Sequence, residues 1–158
     1  MQKGAQFSPD RIYRYALWRT WDEDKGLLLV IGLNPSTADE NVDDPTIRRC
    51  VDFAHRWGFG GLYMLNLFAF RATDPKELLD TPDPVGPEND EFLRMYSRSA
   101  GDVMAAWGTH GVWFTRGARV CELLGKESLF VLGLTQNGQP RHPLYMPRVT
   151  RPQLWIPE

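Results

Sequence analysis

A chain of 158 residues, 42% hydrophobic and 24% charged, has the size and balance of one globular domain, 1–158. A formal net charge of -2 excludes a protein that coats polyanions with a basic surface all round, and 12% aromatic residues exclude a disordered chain. Two cysteines are too few for an iron–sulfur cluster or a Cys-rich zinc site, and the longest apolar run, Leu27–Leu33, is far short of the ~20 residues of a membrane span.

The first strand is predicted over Tyr13–Trp21, which alternates with Tyr13, Tyr15, Leu17, Arg19 and Trp21 on one side. Asp22–Gly26 reads as a turn. Leu27–Gly32 is a continuous apolar run, as expected of a strand buried on both faces, and it is predicted to form an antiparallel hairpin with the first strand. Asp44-Pro45 starts a helix, with Asp as N-cap and Pro at the first helical position, and Gly58 ends it. Leu62–Phe68 is the next buried strand. Asp74-Pro75 starts a short helical turn, and Asp80–Pro87 is an acidic, proline-rich surface loop. A helix is predicted over Glu88–Ala100, a strand over Asp102–Trp107, a helix over Thr115–Leu124 and a strand over Leu129–Leu134. The tail from Gln136 reads as irregular. Cys50 and Cys121 both fall in helical patterns and read as buried free thiols.

Strands alternating with helices imply a three-layer αβα sandwich. Its core sheet is mainly parallel and four-stranded, with an added N-terminal antiparallel strand. Ligands bind such sheets beyond the carboxyl ends of the strands. Those ends carry Leu33-Asn34-Pro35-Ser36-Thr37-Ala38-Asp39, Asn66-Leu67-Phe68, Trp107-Gly108-Thr109-His110 and, after the last strand, Arg141-His142-Pro143. Two Asn, a His, an Arg and a Trp are thereby expected on one rim. Each also has a plain structural reading. Asn34-Pro35 reads as a turn, Asn66 as a satisfied buried amide, Trp107 as packing and His142 as a loop residue. His55 and His110 are read as structural. The run 39–44 is read as a helix cap with solvated acids rather than a metal site.

The residues Gly32-Leu33-Asn34-Pro35, Leu65-Asn66-Leu67, Trp107-Gly108 and His142-Pro143 resemble, in order, the strand-end motifs of the uracil-DNA glycosylase superfamily. A closer resemblance is to a bacterial and phage family, Domain of Unknown Function 1643. It rests on Gly32–Asp39, on Asp44-Pro45-Thr46-Ile47-Arg48-Arg49 and on Pro140-Arg141-His142-Pro143. The glycosylase resemblance implies that superfamily's fold and an attack on a pyrimidine N-glycosidic bond. Asn34 would position the water, and His142 would donate to the base carbonyl that gains charge. Asn66 would read the base edge through its adjacent donor and acceptor. Asp39 is the residue that would supply a base, since an amide cannot. Gly32, Pro35, Ser36, Thr37, Trp107, Arg141 and Leu144 complete the expected substrate-binding set. Leu144 and Tyr145 are candidate wedges, and Arg141 and Arg148 candidate phosphate contacts. The position after Asn34-Pro35 is Ser36, and Leu144-Tyr145-Met146-Pro147 replaces the superfamily's Ser-Pro phosphate motif.

The resulting expectation is a glycosylase-like hydrolase acting on DNA. The rivals are an enzyme acting on a free pyrimidine nucleotide through the same pocket and a non-catalytic module that binds a modified base. No cofactor, metal or membrane contact is expected, and the protein is expected to be a cytoplasmic monomer. Charge distribution bears on the partner. Residues 74–91 sum to -6, which leaves +4 for the rest, and Arg supplies 14 of the 18 basic residues.

Overall fold

A computed structural model describes residues 1–157. Its strands are β1 (Gln2–Phe7), β2 (Arg14–Thr20), β3 (Leu27–Gly32), β4 (Gly61–Asn66), β5 (Asp102–Ala105), β6 (Leu129–Val131) and β7 (Gln153–Trp155). The helices are α1 (Pro45–Arg56), α2 (Asn89–Ser99) and α3 (Arg116–Leu124). The strands form one sheet in the order β1-β2-β4-β3-β5-β6-β7. The central four, β4-β3-β5-β6, are parallel, and β1, β2 and β7 are antiparallel to their neighbours.

The parallel core has the four strands expected, but the sheet has seven strands, not five. Two expectations are corrected. β2 does not form a hairpin with β3: it pairs with β4, which inserts between them. The tail is not wholly irregular, because β7 adds to β6 and Pro143–Tyr145 forms a 3-10 turn. Both missed strands lie at the sheet edges. β1 carries one fully buried residue and β7 none, so neither shows an apolar run.

The core follows from burial on both faces of the central strands. Leu28, Leu29, Val30 and Ile31 are all essentially inaccessible, and burying each such side chain contributes about 1.5–3 kcal/mol. Val30, Leu28, Leu62, Met64 and Met104 meet Ile47, Cys50, Phe53 and Ala54 of α1 on one face. Leu29, Ile31, Leu65, Val103 and Ala105 meet Leu93 of α2 and Val120 of α3 on the other. These are the three layers. Cys50 and Cys121 are free thiols. They sit on helices on opposite faces of the sheet, and burial pushes them to about 12 and about 11.

The helix ends obey local chemistry. Asp44 accepts the Ile47 N–H at 2.9 Å and Pro45 opens α1. Gly125 closes α3 at φ 63°, a left-handed conformation that costs glycine nothing. Pro75–Leu79 is the expected short turn, capped by Asp74. Among the described residues no helix is long and apolar enough to cross a membrane.

β2 departs from simple alternation. Its register with β1 passes from Gln6↔Ala16 to Phe7↔Arg14, so Tyr15 has no partner. This bulge shifts the side-chain phase. Arg14 and Arg19, five residues apart, both reach the loop after β3. Arg14 Nη1 donates to the Ala38 carbonyl at 3.2 Å. Arg19 Nη2 donates to the Asp39 carbonyl at 2.7 Å, and its Nε to Asp43 Oδ1 at 2.8 Å. Both arginines are buried.

Candidate active-site cavity

β3 leads through α1 to β4 on one side, while β5 lies on its other side and leads on to β6. The connections therefore diverge at the carboxyl ends of β3 and β5. Such a divergence leaves a crevice in an open sheet. A cavity of about 540 Å³ opens there. Its wall includes Gly32, Leu33, Asn34, Pro35 and Ser36 after β3, and Asn66 at the end of β4. Trp107, Gly108, Thr109 and His110 follow β5, and Arg141, His142, Leu144, Tyr145 and Met146 come from the tail. Of the expected residues, Gly32, Asn34, Pro35, Ser36, Asn66, Trp107, Arg141, His142 and Leu144 meet here. Thr37 and Asp39 do not border the cavity.

Asn34 is half-buried. Its Nδ2 donates to the Ala72 and Pro35 carbonyls at 2.9 and 3.1 Å, which fixes the amide orientation. Its Oδ1 takes no donor from the described residues and remains an acceptor. Asn66 is 1% exposed, and its Nδ2 has no hydrogen-bond partner. A buried donor left unpaired costs about 1–3 kcal/mol. Gly32 makes room for it. A Cβ at Gly32 would lie 2.9 Å from Asn66 Oδ1 and 2.7 Å from the Met64 methyl. Gly32→Ala is therefore expected to destabilise the fold by about 1–3 kcal/mol through overpacking and to displace the Asn66 amide. Urea unfolding with an unchanged midpoint would contradict this.

His142 is half-buried in the wall. Its Nδ1 accepts the Leu144 N–H at 3.2 Å, which places the proton of the neutral ring on Nε2. Desolvation lowers its pKa from 6.5, against a smaller opposing pull from Asp44. The neutral ring is thus favoured in the fold. Stability from this group is complete above pH 6.5 and declines as pH falls below it, where the unfolded chain binds the proton more readily. The His142 ring signals are expected to titrate with a midpoint below 6.5 by NMR. A midpoint at or above 6.5 would refute the assignment.

Trp107 serves both packing and lining. Its indole Nε1 donates to Gln139 Oε1 at 2.9 Å, and Trp155 meets it edge-on at 6.2 Å. Gly111 lies so close to the ring that a Cβ there would be 2.0 Å from it. Arg141 is exposed at the rim and donates to the Leu134 carbonyl. Tyr145 stands 83% exposed at the mouth. Arg148 is held away from the cavity by a two-bond pair with Asp52, at 3.1 Å each. His55 stacks on Trp21 at 3.8 Å, a structural role, whereas His110 borders the cavity and stacks on Trp113 at 4.2 Å.

Asp39 accepts the backbone N–H groups of Asn41 and Val42 at 2.9 and 2.8 Å, and these bonds lower its pKa. It shapes the loop. Asp44 is instead the carboxylate that borders the cavity, while also capping α1.

The sequence pattern covered by these features decides the family. Residues 14–144 match the family described as "Protein of unknown function (DUF1643)". The chain belongs to DUF1643. No curated protein matches it, and no solved structure does. The DUF1643 match begins at Arg14, which sequence reasoning passed over. Because β2 runs antiparallel to β4, its first residue lies at the carboxyl end of the parallel strands. Arg14 is bound there by its N–H to the Ala69 carbonyl at 2.9 Å and borders the cavity. The available signal was an arginine at each end of the apolar segment Tyr15–Trp18, since arginines are rarely buried without a purpose.

Proposed function

We propose that this DUF1643 protein is a glycosylase-like hydrolase acting on a pyrimidine N-glycosidic bond in DNA. The observation that carries the reading is the unpaired, buried Asn66 amide in one cavity with Asn34 and His142. Asn66 presents a donor and an acceptor side by side, the pattern that reads a pyrimidine edge. Asn34 offers an acceptor oxygen to hold a water. The neutral His142 ring offers Nε2–H to the carbonyl on which the leaving base gathers charge, a contribution that strengthens in the transition state. Asp44, as the carboxylate on the cavity wall, is placed better than Asp39 to take a proton from that water. A base in a duplex must be flipped out to reach this depth, and Tyr145 at the mouth is a wedge to fill its place.

A second reading, action on a free pyrimidine nucleotide, is favoured by the pairing of Arg148 with Asp52 away from the cavity, which engages an expected DNA-phosphate contact elsewhere. Incubating the protein with oligonucleotides bearing uracil, hydroxymethyluracil and other modified pyrimidines, and with the matching nucleotides, tests both. Abasic sites in the oligonucleotides support the first reading. Free base from nucleotides alone supports the second, and no base release from either would refute both.

A further inference from the structure

We propose that the Arg14 side of the cavity is a binding site for an oxyanion, the phosphate monoester or carboxylate group of a small ligand. Arg14 is 2% exposed and borders the cavity. One nitrogen, Nη1, donates to the Ala38 carbonyl. Its Nε is buried with no partner, and the Nη1 bond to Ala38 is the one side-chain hydrogen bond that Arg14 makes among the described residues, so Nη2 donates to none of them. The Nε–Nη2 edge is the side of a guanidinium that pairs with two oxygens at once. It faces no ion-pair partner, unlike the other two buried arginines: Arg19 is paired with Asp43 and Arg116 with Asp90.

A charge buried without a counter-charge is costly, and a fold retains one where a ligand supplies the partner. Burial lowers the Arg14 pKa to about 10, against the smaller opposing effect of Asp44, so the group stays cationic at neutral pH. The charged groups on the cavity wall are Arg14 and Arg141 against Asp44, with His110 and His142 beside them. Asp44 spends one oxygen on capping α1 and makes no ion pair with Arg14. An oxyanion is the acceptor-only group that the Nε–Nη2 edge pairs with. A phosphodiester of DNA stays at the mouth when a base is flipped inward, so the buried edge fits a terminal group of a small ligand.

The site requires no bond cleavage, so its failure and failure of the glycosidic reading are separate results. The test is a titration of the ¹⁵N-labelled full chain, followed at the arginine Nε–Hε signals, with phosphate, acetate and chloride at matched ionic strength. Deoxyuridine monophosphate and deoxyuridine are compared in parallel. The Arg14 signal is assigned by its loss in Arg14→Lys, or by its proximity to Ala38 should that variant not fold. Phosphate or acetate is expected to shift it saturably while chloride does not, and the tighter of the two identifies the oxyanion. If phosphate is the group, the monophosphate binds about ten-fold or more tighter than the nucleoside, equivalent to about 1.4 kcal/mol. No saturable shift at Arg14 with any oxyanion, or a shift confined to Arg141, overturns the proposal.

Discussion

On the proposed glycosidic reading, His142→Ala is expected to lower base release about 10²- to 10³-fold, the effect of losing one preorganised donor to developing negative charge. The expectation rests on three properties of the ring. It is half-buried, which strengthens a hydrogen bond that it donates. Its Nδ1 is occupied by the Leu144 N–H, so Nε2–H is the free donor. Its lowered pKa keeps it neutral at physiological pH, and no proton need be gained or lost for it to donate. Because His142 also caps the 3-10 turn Pro143–Tyr145, alanine removes a local bond as well. His142→Asn separates the two effects, since Asn retains an acceptor for the Leu144 N–H. Single-turnover rates and ligand affinity should be measured together. Equal rates in wild type and both variants would remove His142 from the reaction.

Arg19→Met is expected to destabilise the fold by about 3 kcal/mol, the low end for breaking a buried ion pair. The side chain of Arg19 is wholly inaccessible, whereas Asp43 is 26% exposed and can partly rehydrate, which limits the loss. Arg19 also donates to the Trp18 and Asp39 carbonyls. It therefore ties the sheet to the loop that leads from Asn34 to the cap of α1. For a chain of this size the loss corresponds to a fall in Tm of about 6–12 °C. The exposed pair Arg11–Glu40 is the contrast: Arg11→Met should cost under about 1 kcal/mol. Thermal melts in which the two variants behave alike would refute the role given to Arg19.

Elements whose burial is complete on both faces were legible without a structure. β3 coincides with its apolar run because a strand covered by helices on both sides needs no polar face. α1 begins at Asp44-Pro45, and α3 ends before Gly125, because caps act within a few residues and depend on little else. Edge strands carry no such signature. β1 and β7 gain their place by hydrogen-bonding to β2 and β6, a property of the neighbour rather than of their own side chains.

The site divides the same way. Asn34, Asn66, Trp107 and His142 could be read as strand-end residues, since chain order alone puts them after apolar runs. The amino-acid sequence also determined the parallel core, the helix ends and the absence of a general basic surface. Which strand neighbours which was decided only in the folded sheet, because pairing depends on long-range hydrogen bonds that leave no local pattern. That ordering set β2 beside β4, and the bulge at Tyr15 turned Arg14 toward the cavity. Only the folded chain shows Asp44 on the cavity wall and Asp39 turned to its own loop. The charge of these residues is written in the sequence; its burial, and the lack of a partner for Arg14, arise from tertiary packing alone.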